Sequence, residues 1–313
     1  MTITQLTYVL AVAEHRNFTL AAEKCFVTQP TLSMQIQKIE DELGILIFDR
    51  SKKPIQLTEI GNKIVTQAKN IVNESIRIKD IVDQQKGFIG GEFRLGIIPT
   101  IMPTLLPMFL NSFIKKYPKV NLIIEELNTE EILTKLHNNH LDAAIAATPL
   151  EDEKIKELVL YYEPFVVYVP EQHEFSSQKT IDPNQLDPNE ILLLRDGHCF
   201  RDGILNLCQR RDNIHPPAFE IASGSFETLI KLADEGLGIT LLPYLHTLDL
   251  NDKNREKLRQ FRDPKPAREV SLIFPKSELK LHIIEALRSV INGVVKGAIA
   301  FHDVEIISPL SKK

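Results

Sequence analysis

The chain has 313 residues, 43% of them apolar, and a formal net charge of −5, which is length enough for two or three domains with separate cores. No apolar run approaches the roughly 20 residues that cross a bilayer, and the opening Met-Thr-Ile-Thr-Gln-Leu lacks the charged segment and cleavage site of a secretory leader. A cytoplasmic protein without a membrane partner is expected, whose three cysteines are thiols rather than structural staples. Residues 1–90 carry 11 basic and 10 acidic side chains and the remainder 26 and 32, so a polyanionic partner would have to be met by local positive charge.

Residues 18–50 predict two short helices around a tight turn. Leu20, Ala21, Ala22, Cys25 and Phe26 mark the inner face of the first, with small residues for close packing. The break falls at Val27-Thr28-Gln29-Pro30, where Pro30 suits a first helical turn and Thr28 or Gln29 can cap free N–H groups. The second helix buries Leu32, Ile36 and Ile39 at spacings of four and three. Its other face shows Gln29, Thr31, Ser33, Gln35 and Lys38, polar groups suited to base edges and phosphates. Periodicity alone describes an ordinary solvated face equally well. What favours DNA is the hairpin that follows, a run over 45–48, the basic tip Arg50-Ser51-Lys52-Lys53 and a return strand over 55–58. That is a wing placed to neutralise phosphates with Arg50, Lys52 and Lys53. Residues 1–58 are thus read as an all-α winged helix-turn-helix domain for double-stranded DNA.

The Ala21-Ala22 pair, Thr28-Gln29-Pro30-Thr31-Leu32-Ser33, Ile39-Glu40-Asp41-Glu42-Leu43-Gly44, Phe48-x-Arg50 and Leu57-Thr58-x-x-Gly61 together resemble the LysR-type transcriptional regulators. The resemblance implies a regulator rather than an enzyme. It also implies operator DNA and RNA polymerase as partners, self-association as a dimer or tetramer, and no cofactor.

Residues 59–86 predict a long helix with Ile64, Ala68, Ile71, Ile78 and Val82 four and three apart, interrupted by Ser75. A seam that narrow favours pairing of two chains over packing on the helix's own domain, which would fix the spacing of two reading helices. Residues 87–91 read as a hinge. Strands over 93–98, 120–125, 142–147, 165–169, 190–194, 238–242 and 270–274 then alternate with helices over 103–117, 130–138, 226–235 and 278–296, the pattern of an α/β unit with parallel sheets. In the family this effector part, 92–302, resembles a periplasmic binding protein with two α/β subdomains, here about 91–163 plus 268–302 and about 164–267. Its site is expected at the carboxyl ends of the strands. Residues 303–313 read as a polar tail.

One constellation carries chemistry: Arg195-Asp196-Gly197-His198-Cys199-Phe200-Arg201-Asp202, with Cys208 beyond it. Cys199 is placed near a helix start between His198 and Arg201, all of which favour the reactive thiolate. Cys25, on a packed face, reads as a small hydrophobe. If 200–208 is helical, its nine residues rise about 13.5 Å, whereas bridged cysteines need Cα atoms about 4.4–6.8 Å apart. A disulfide there would therefore refold the segment, as a redox switch requires. His137-x-x-His140 has helical spacing but too few further ligands for a metal site, and no phosphate loop or Ser-His-Asp arrangement is present.

The Asp-Gly-His-Cys-x-Arg-Asp segment, with Gly96-Ile97-Ile98-Pro99-Thr100, Ser225-Phe226-Glu227-Thr228-Leu229 and Gly238-Ile239-Thr240-Leu241-Leu242-Pro243, resembles the peroxide-sensing members of the family. That resemblance implies hydrogen peroxide as signal and oxidation of Cys199 with capture by Cys208. It gives Thr100, Thr129 and His198 peroxide-positioning roles, and Arg268 the role of stabilising the thiolate. The rival readings are a family member answering a small organic ligand, with incidental cysteines, and a thiol peroxidase, which leaves the DNA-binding head unexplained. Thiol counting after stoichiometric peroxide separates the first, and steady turnover with a reductant the second.

Overall fold

The computed structural model describes residues 1–85, 89–195, 199–208, 224–278, 280–299 and 304–310, in two compact units, Met1–Phe88 and Ile89–Lys313. The first unit opens with α1 (Ile3–His15), a helix absent from the expectations above. It begins in a reciprocal cap in which Thr2 Oγ1 accepts from Gln5 N–H and Gln5 Oε1 accepts from Thr2 N–H. There follow α2 (Phe18–Lys24), α3 (Gln29–Leu43), the wing strands β1 (Phe48–Asp49) and β2 (Gln56–Leu57), and α4 (Glu59–Gln85). Leu6, Val9 and Val12 of α1 meet Phe18, Ala21, Ala22, Leu32, Ile36, Ile39, Ile47 and Phe48 in one core.

Two details differ from the sequence reading. Leu20 and Phe26 are exposed, Phe26 almost wholly. α2 ends at Lys24, and Phe26 adopts a left-handed backbone at φ 56° that turns its ring outward. Phe18 takes the inner place, its ring edge-on to Phe48 at 5.9 Å. In α4, Val65 and Ala68 are buried in the head's own core and Ile64 packs half-buried against it, while Ile71, Ile78 and Val82 are exposed. Ala68 therefore serves intrachain packing against α1, and the exposed part of the expected seam begins at Ile71.

The second unit runs β3 (Gly91–Ile97), α5 (Met102–Lys116), β4 (Val120–Glu126), α6 (Thr129–His137), β5 (Ala143–Thr148), β6 (Ile155–Tyr168), β7 (Thr180–Ile181), α7 (Cys199–Leu207), α8 (Phe226–Asp234), β8 (Thr240–Pro243), α9 (Tyr244–Thr247), α10 (Asp252–Arg255), β9 (Leu258–Phe261), β10 (Lys265–Pro275), α11 (Leu281–Val295) and β11 (Val304–Ile306). Among the described residues the strands form one sheet in the order β4-β3-β5-β10-β6-β9-β7, with β8 on β6 and β11 on β10. β3, β4 and β5 are parallel, but β10 is antiparallel to both β5 and β6. The sheet is thus mixed, not purely parallel.

Two apolar cores result. One joins β3, β5 and the start of β6 to α5, α6 and α11, and the other joins the end of β6 to α7, α8, β8 and Phe261. β6 and β10 are both longer than expected; β6 runs from the first core, at Ile155 and Tyr161, into the second, at Phe165, Val167 and Tyr168, and β10 pairs along it from Ala267 to Pro275. The segment over 190–194, expected as a strand, makes a single bridge, Ile191 to Ile239. The expected tail is also ordered in part. β11 pairs parallel with β10, and Asn206 Nδ2 on α7 donates to Ser308 O at 2.9 Å and Leu310 O at 2.6 Å. Residues 87–88 of the expected hinge and 311–313 of the tail lie outside the described residues. Among the described residues no helix is long and apolar enough to cross a membrane.

Candidate functional site

Cys199 is the first residue of α7 and is buried against the first core, while Phe200 and Cys208 belong to the second. Thr129 at the start of α6 and Ala147 in β5 act on Cys199 directly, and Thr100 after β3 is tied to Arg268, the cation that also acts on it. Thr100, Thr129 and Ala147 lie at the carboxyl ends of parallel strands, where sheets of this kind form their sites. Burial pushes the Cys199 thiol above its ordinary pKa. The Arg268 charge, the Thr129 hydroxyl and the Ala147 N–H pull it down, and Asp202 pushes it further up. Burial wins, so the sulfur rests as a thiol, contrary to the thiolate expected from a helix terminus with flanking cations. The cation acting on it is Arg268. Arg201, about 200° further round the helix, donates Nη1 to Leu194 O at 3.3 Å, and His198 lies outside the described residues. Thr129 Oγ1 is buried with no partner of ordinary hydrogen-bond geometry. Its influence on Cys199 is therefore that of a loose contact, and its hydrogen-bonding capacity is largely unused.

Arg268 is held on every side. Its Nε and Nη2 donate to Glu163 Oε2 at 2.9 and 2.7 Å, Nη1 to Thr100 Oγ1 at 2.8 Å, and Nη2 to Thr100 O at 3.1 Å. Glu163 Oε1 accepts from Leu245 N–H at 2.8 Å. Arg268 and Glu163 are direct cross-strand partners on β10 and β6, both fully buried, and the guanidinium lies 5.2 Å over the Phe200 ring. Because Thr100 Oγ1 accepts from Arg268, its own proton remains to be donated. The sequence reading missed Glu163. Its signal was available as the one charge within an apolar run, Leu158 to Val169. The same face carries Tyr161, whose buried hydroxyl has no partner and whose pKa is driven well up by burial and by Glu163.

Neither Cys199 nor Cys208 is in a disulfide, and both are buried. The helix between them separates their Cα atoms by about 13.5 Å, beyond disulfide reach. Phe200 stacks edge-on with Phe165 at 5.2 Å and Phe226 at 5.1 Å, so moving Cys199 disturbs an aromatic cluster of the second core. Residues 209–223, which follow Cys208 in the chain, lie outside the described residues.

In the head, Thr28 caps α3, accepting from Thr31 N–H at 3.4 Å. Pro30 sits in the first turn, Gln29, Thr31 and Lys38 are exposed, and Ser33 and Gln35 are half-exposed. Lys52 and Lys53 are exposed at the wing tip. Arg50 is largely committed to fastening the wing. Its Nη2 meets buried Glu40 at 2.7 Å and its guanidinium covers Phe18 at 5.1 Å. Glu40 Oε1 in turn accepts from Ile47 and Phe48 N–H. Among the described residues no group of three His, Cys, Asp or Glu could hold a metal, and His137 pairs with Asp152 at 2.9 Å.

A capped reading helix with a wing, joined to a two-core α/β unit, defines a DNA-binding regulator, and the chain belongs to the LysR family of bacterial transcriptional regulators. Residues 3–62 match the bacterial regulatory helix-turn-helix protein of the lysR family and residues 86–295 the LysR substrate binding domain. The chain is 33% identical over 297 residues to the DNA-binding transcriptional dual regulator OxyR of Escherichia coli, covering 94% of this chain and 97% of that one. It is 32% identical over 300 residues to the hydrogen peroxide-inducible genes activator of Haemophilus influenzae, covering 95% and 98%. Among solved structures, a full-length OxyR from Pseudomonas aeruginosa with a cysteine-to-aspartate change superposes with a TM-score of 0.74 at 34% identity, covering 93% and 98% of the two chains. The hydrogen-peroxide-bound form of an OxyR cysteine-to-serine mutant from Corynebacterium glutamicum gives 0.63 at 29% identity, covering 95% and 93%.

Proposed function

We propose that this regulator senses hydrogen peroxide through a reversible Cys199–Cys208 disulfide and controls oxidative-stress defence genes. The observation that carries the reading is the surrounding of Cys199: one buried cation, one N–H and a hydroxyl with unused capacity converge on a single buried sulfur. A second thiol lies in the neighbouring core. Peroxide is small enough to reach such a site and can accept from Thr100 and donate to Thr129. Cys199 loses its proton and attacks one peroxide oxygen, breaking the O–O bond to give a sulfenic acid and one water. The Cys208 thiol then displaces the hydroxyl as a second water, so two thiols and one peroxide become one disulfide. Arg268 stabilises the attacking thiolate, with His198 as a further peroxide-activating group, while Arg201, turned to Leu194 O, takes no part.

The bridge cannot form on an intact α7, so oxidation selects a second packing of that segment, close in free energy to the first. In the cytoplasm the chain acts as a dimer or tetramer joined through Ile71, Ile78 and Val82 with support from Ile64. α3 reads the operator through Gln29, Thr31, Ser33, Gln35 and Lys38, Lys52 and Lys53 meet phosphates, and RNA polymerase receives the signal. The test is thiol counting with one equivalent of peroxide. Two thiols should be lost per chain in the wild type. Cys208→Ser should lose one and leave a sulfenic acid that dimedone traps at Cys199. No loss in the wild type would return the chain to the small-ligand reading.

A further inference from the structure

Gln35 of α3 is held by a hydrogen bond from α1, with Gln5 Nε2 donating to Gln35 Oε1 at 3.1 Å. Gln5 is not free to choose which end of its amide it offers. The Thr2 N–H is a donor and requires an acceptor, so Gln5 must give it Oε1, which it does at 2.8 Å. The Thr2 hydroxyl closes the cap by accepting from Gln5 N–H at 3.2 Å. With its oxygen used in the cap, Gln5 has only its NH2 to turn toward Gln35. Gln35 must then turn its oxygen inward and its NH2 outward. Gln5 is almost fully buried and Gln35 half-exposed, so the inner end of the relay is fixed by packing and the outer end faces solvent.

We propose that Gln5 is a specificity-determining positioning residue: through this relay it makes Gln35 a donor-only reader of the major groove. The inference rests on α3 being the reading helix. A glutamine free to present both ends pairs with adenine, donating to N7 and accepting from N6. With its oxygen turned to α1, Gln35 selects an acceptor, guanine O6 or thymine O4, over the donor that adenine N6 or cytosine N4 places at the same point of the groove. The operator should therefore carry guanine or thymine where Gln35 meets it.

The relay can be reversed with one substitution. Gln5→Glu keeps the cap, since glutamate serves that position as well as glutamine, but offers Gln35 an acceptor. The Gln35 amide then turns its NH2 inward and its oxygen outward. Selection from a randomised operator library, with the full-length protein, is run on the wild type, Gln35→Ala, Gln5→Glu and Gln5→Met, with thermal melting of each as a check on folding. Gln35→Ala should erase discrimination at one base pair per half-site. At that same pair Gln5→Glu should shift the preference from guanine to adenine, or from thymine to cytosine, by about fivefold or more, and Gln5→Met should flatten it. If Gln35→Ala changes no position, Gln35 reads no base and its place in the reading surface fails along with the relay. If Gln35→Ala erases a position that Gln5→Glu and Gln5→Met leave untouched, the relay alone is wrong.

Discussion

Replacing Glu163 by glutamine should make this protein less stable and its Cys199 more reactive at once. The substitution keeps the size of the side chain and an oxygen for the Leu245 N–H, but removes the charge that Arg268 meets at 2.7 and 2.9 Å. Both partners are buried, and breaking such a pair by neutralising one side costs about 3–5 kcal/mol. For a unit of this length each kcal/mol moves the melting temperature by about 2–4 °C, so a fall of roughly 6–20 °C follows. The Arg268 charge is then uncancelled, and of the influences that lower the Cys199 pKa it is already the largest. Each unit by which that pKa falls raises the thiolate population about tenfold at neutral pH. The assay is the pH dependence of alkylation at each cysteine, read by peptide mass spectrometry, with calorimetry on the same samples. The midpoint should move to lower pH at Cys199 while Cys25 keeps its profile. A lower melting temperature with an unchanged or raised Cys199 midpoint would refute the reasoning, because general loosening lowers stability without favouring one sulfur.

Asn206→Ala releases residues 308–310 from α7 by removing two hydrogen bonds, each worth about 1 kcal/mol. Rapid-quench measurements should find Cys199–Cys208 bridging about tenfold faster, and an unchanged rate would mean that the C-terminal segment does not restrain the helix. Cys199 keeps its proton to higher pH in the folded than in the unfolded chain. Its contribution to stability is therefore full below the unfolded thiol value of 9.0 and is lost as pH rises through the raised folded value. Urea titrations across pH 8–11 should show a steeper loss in the wild type than in Cys199→Ser. Lys52→Ala at the wing tip should weaken binding evenly across sequences and flatten the salt dependence by about 0.9 in log–log slope, measured by fluorescence anisotropy.

The helix-turn-helix, the wing and the cysteine segment were legible because each rests on local pattern: a cap followed by proline, apolar spacing of four and three, a basic hairpin tip. What escaped was set by long-range pairing. The Arg268–Glu163 pair joins residues 105 apart, opposed only because β10 and β6 pair in that register. Neither strand shows its full length as an apolar run, since Glu163 interrupts β6 where it passes from one core to the other and Lys265, Arg268 and Glu269 open β10. Arg201 was the nearer cation along the chain but faces Leu194, whereas Arg268 reaches Cys199 from the sheet. Burial, which reverses the expected direction of the Cys199 pKa, is a property of the assembled cores and has no local signature. α1 did leave a local mark, Thr2-x-x-Gln5, the sequence of a capping box. Ala68 shows the limit of a heptad count, because the same spacing serves the helix's own domain for its first turns and leaves an exposed stripe only from Ile71 onward.

In the proposed switch, peroxide joins two particular thiols that the reduced fold holds apart. Peptide mapping of the full-length protein, after one equivalent of hydrogen peroxide and blocking of free thiols, tests it most directly. The expected result is a single intramolecular bridge between the peptides carrying Cys199 and Cys208, with Cys25 alkylated. A bridge that includes Cys25, or no bridge at all, would contradict it.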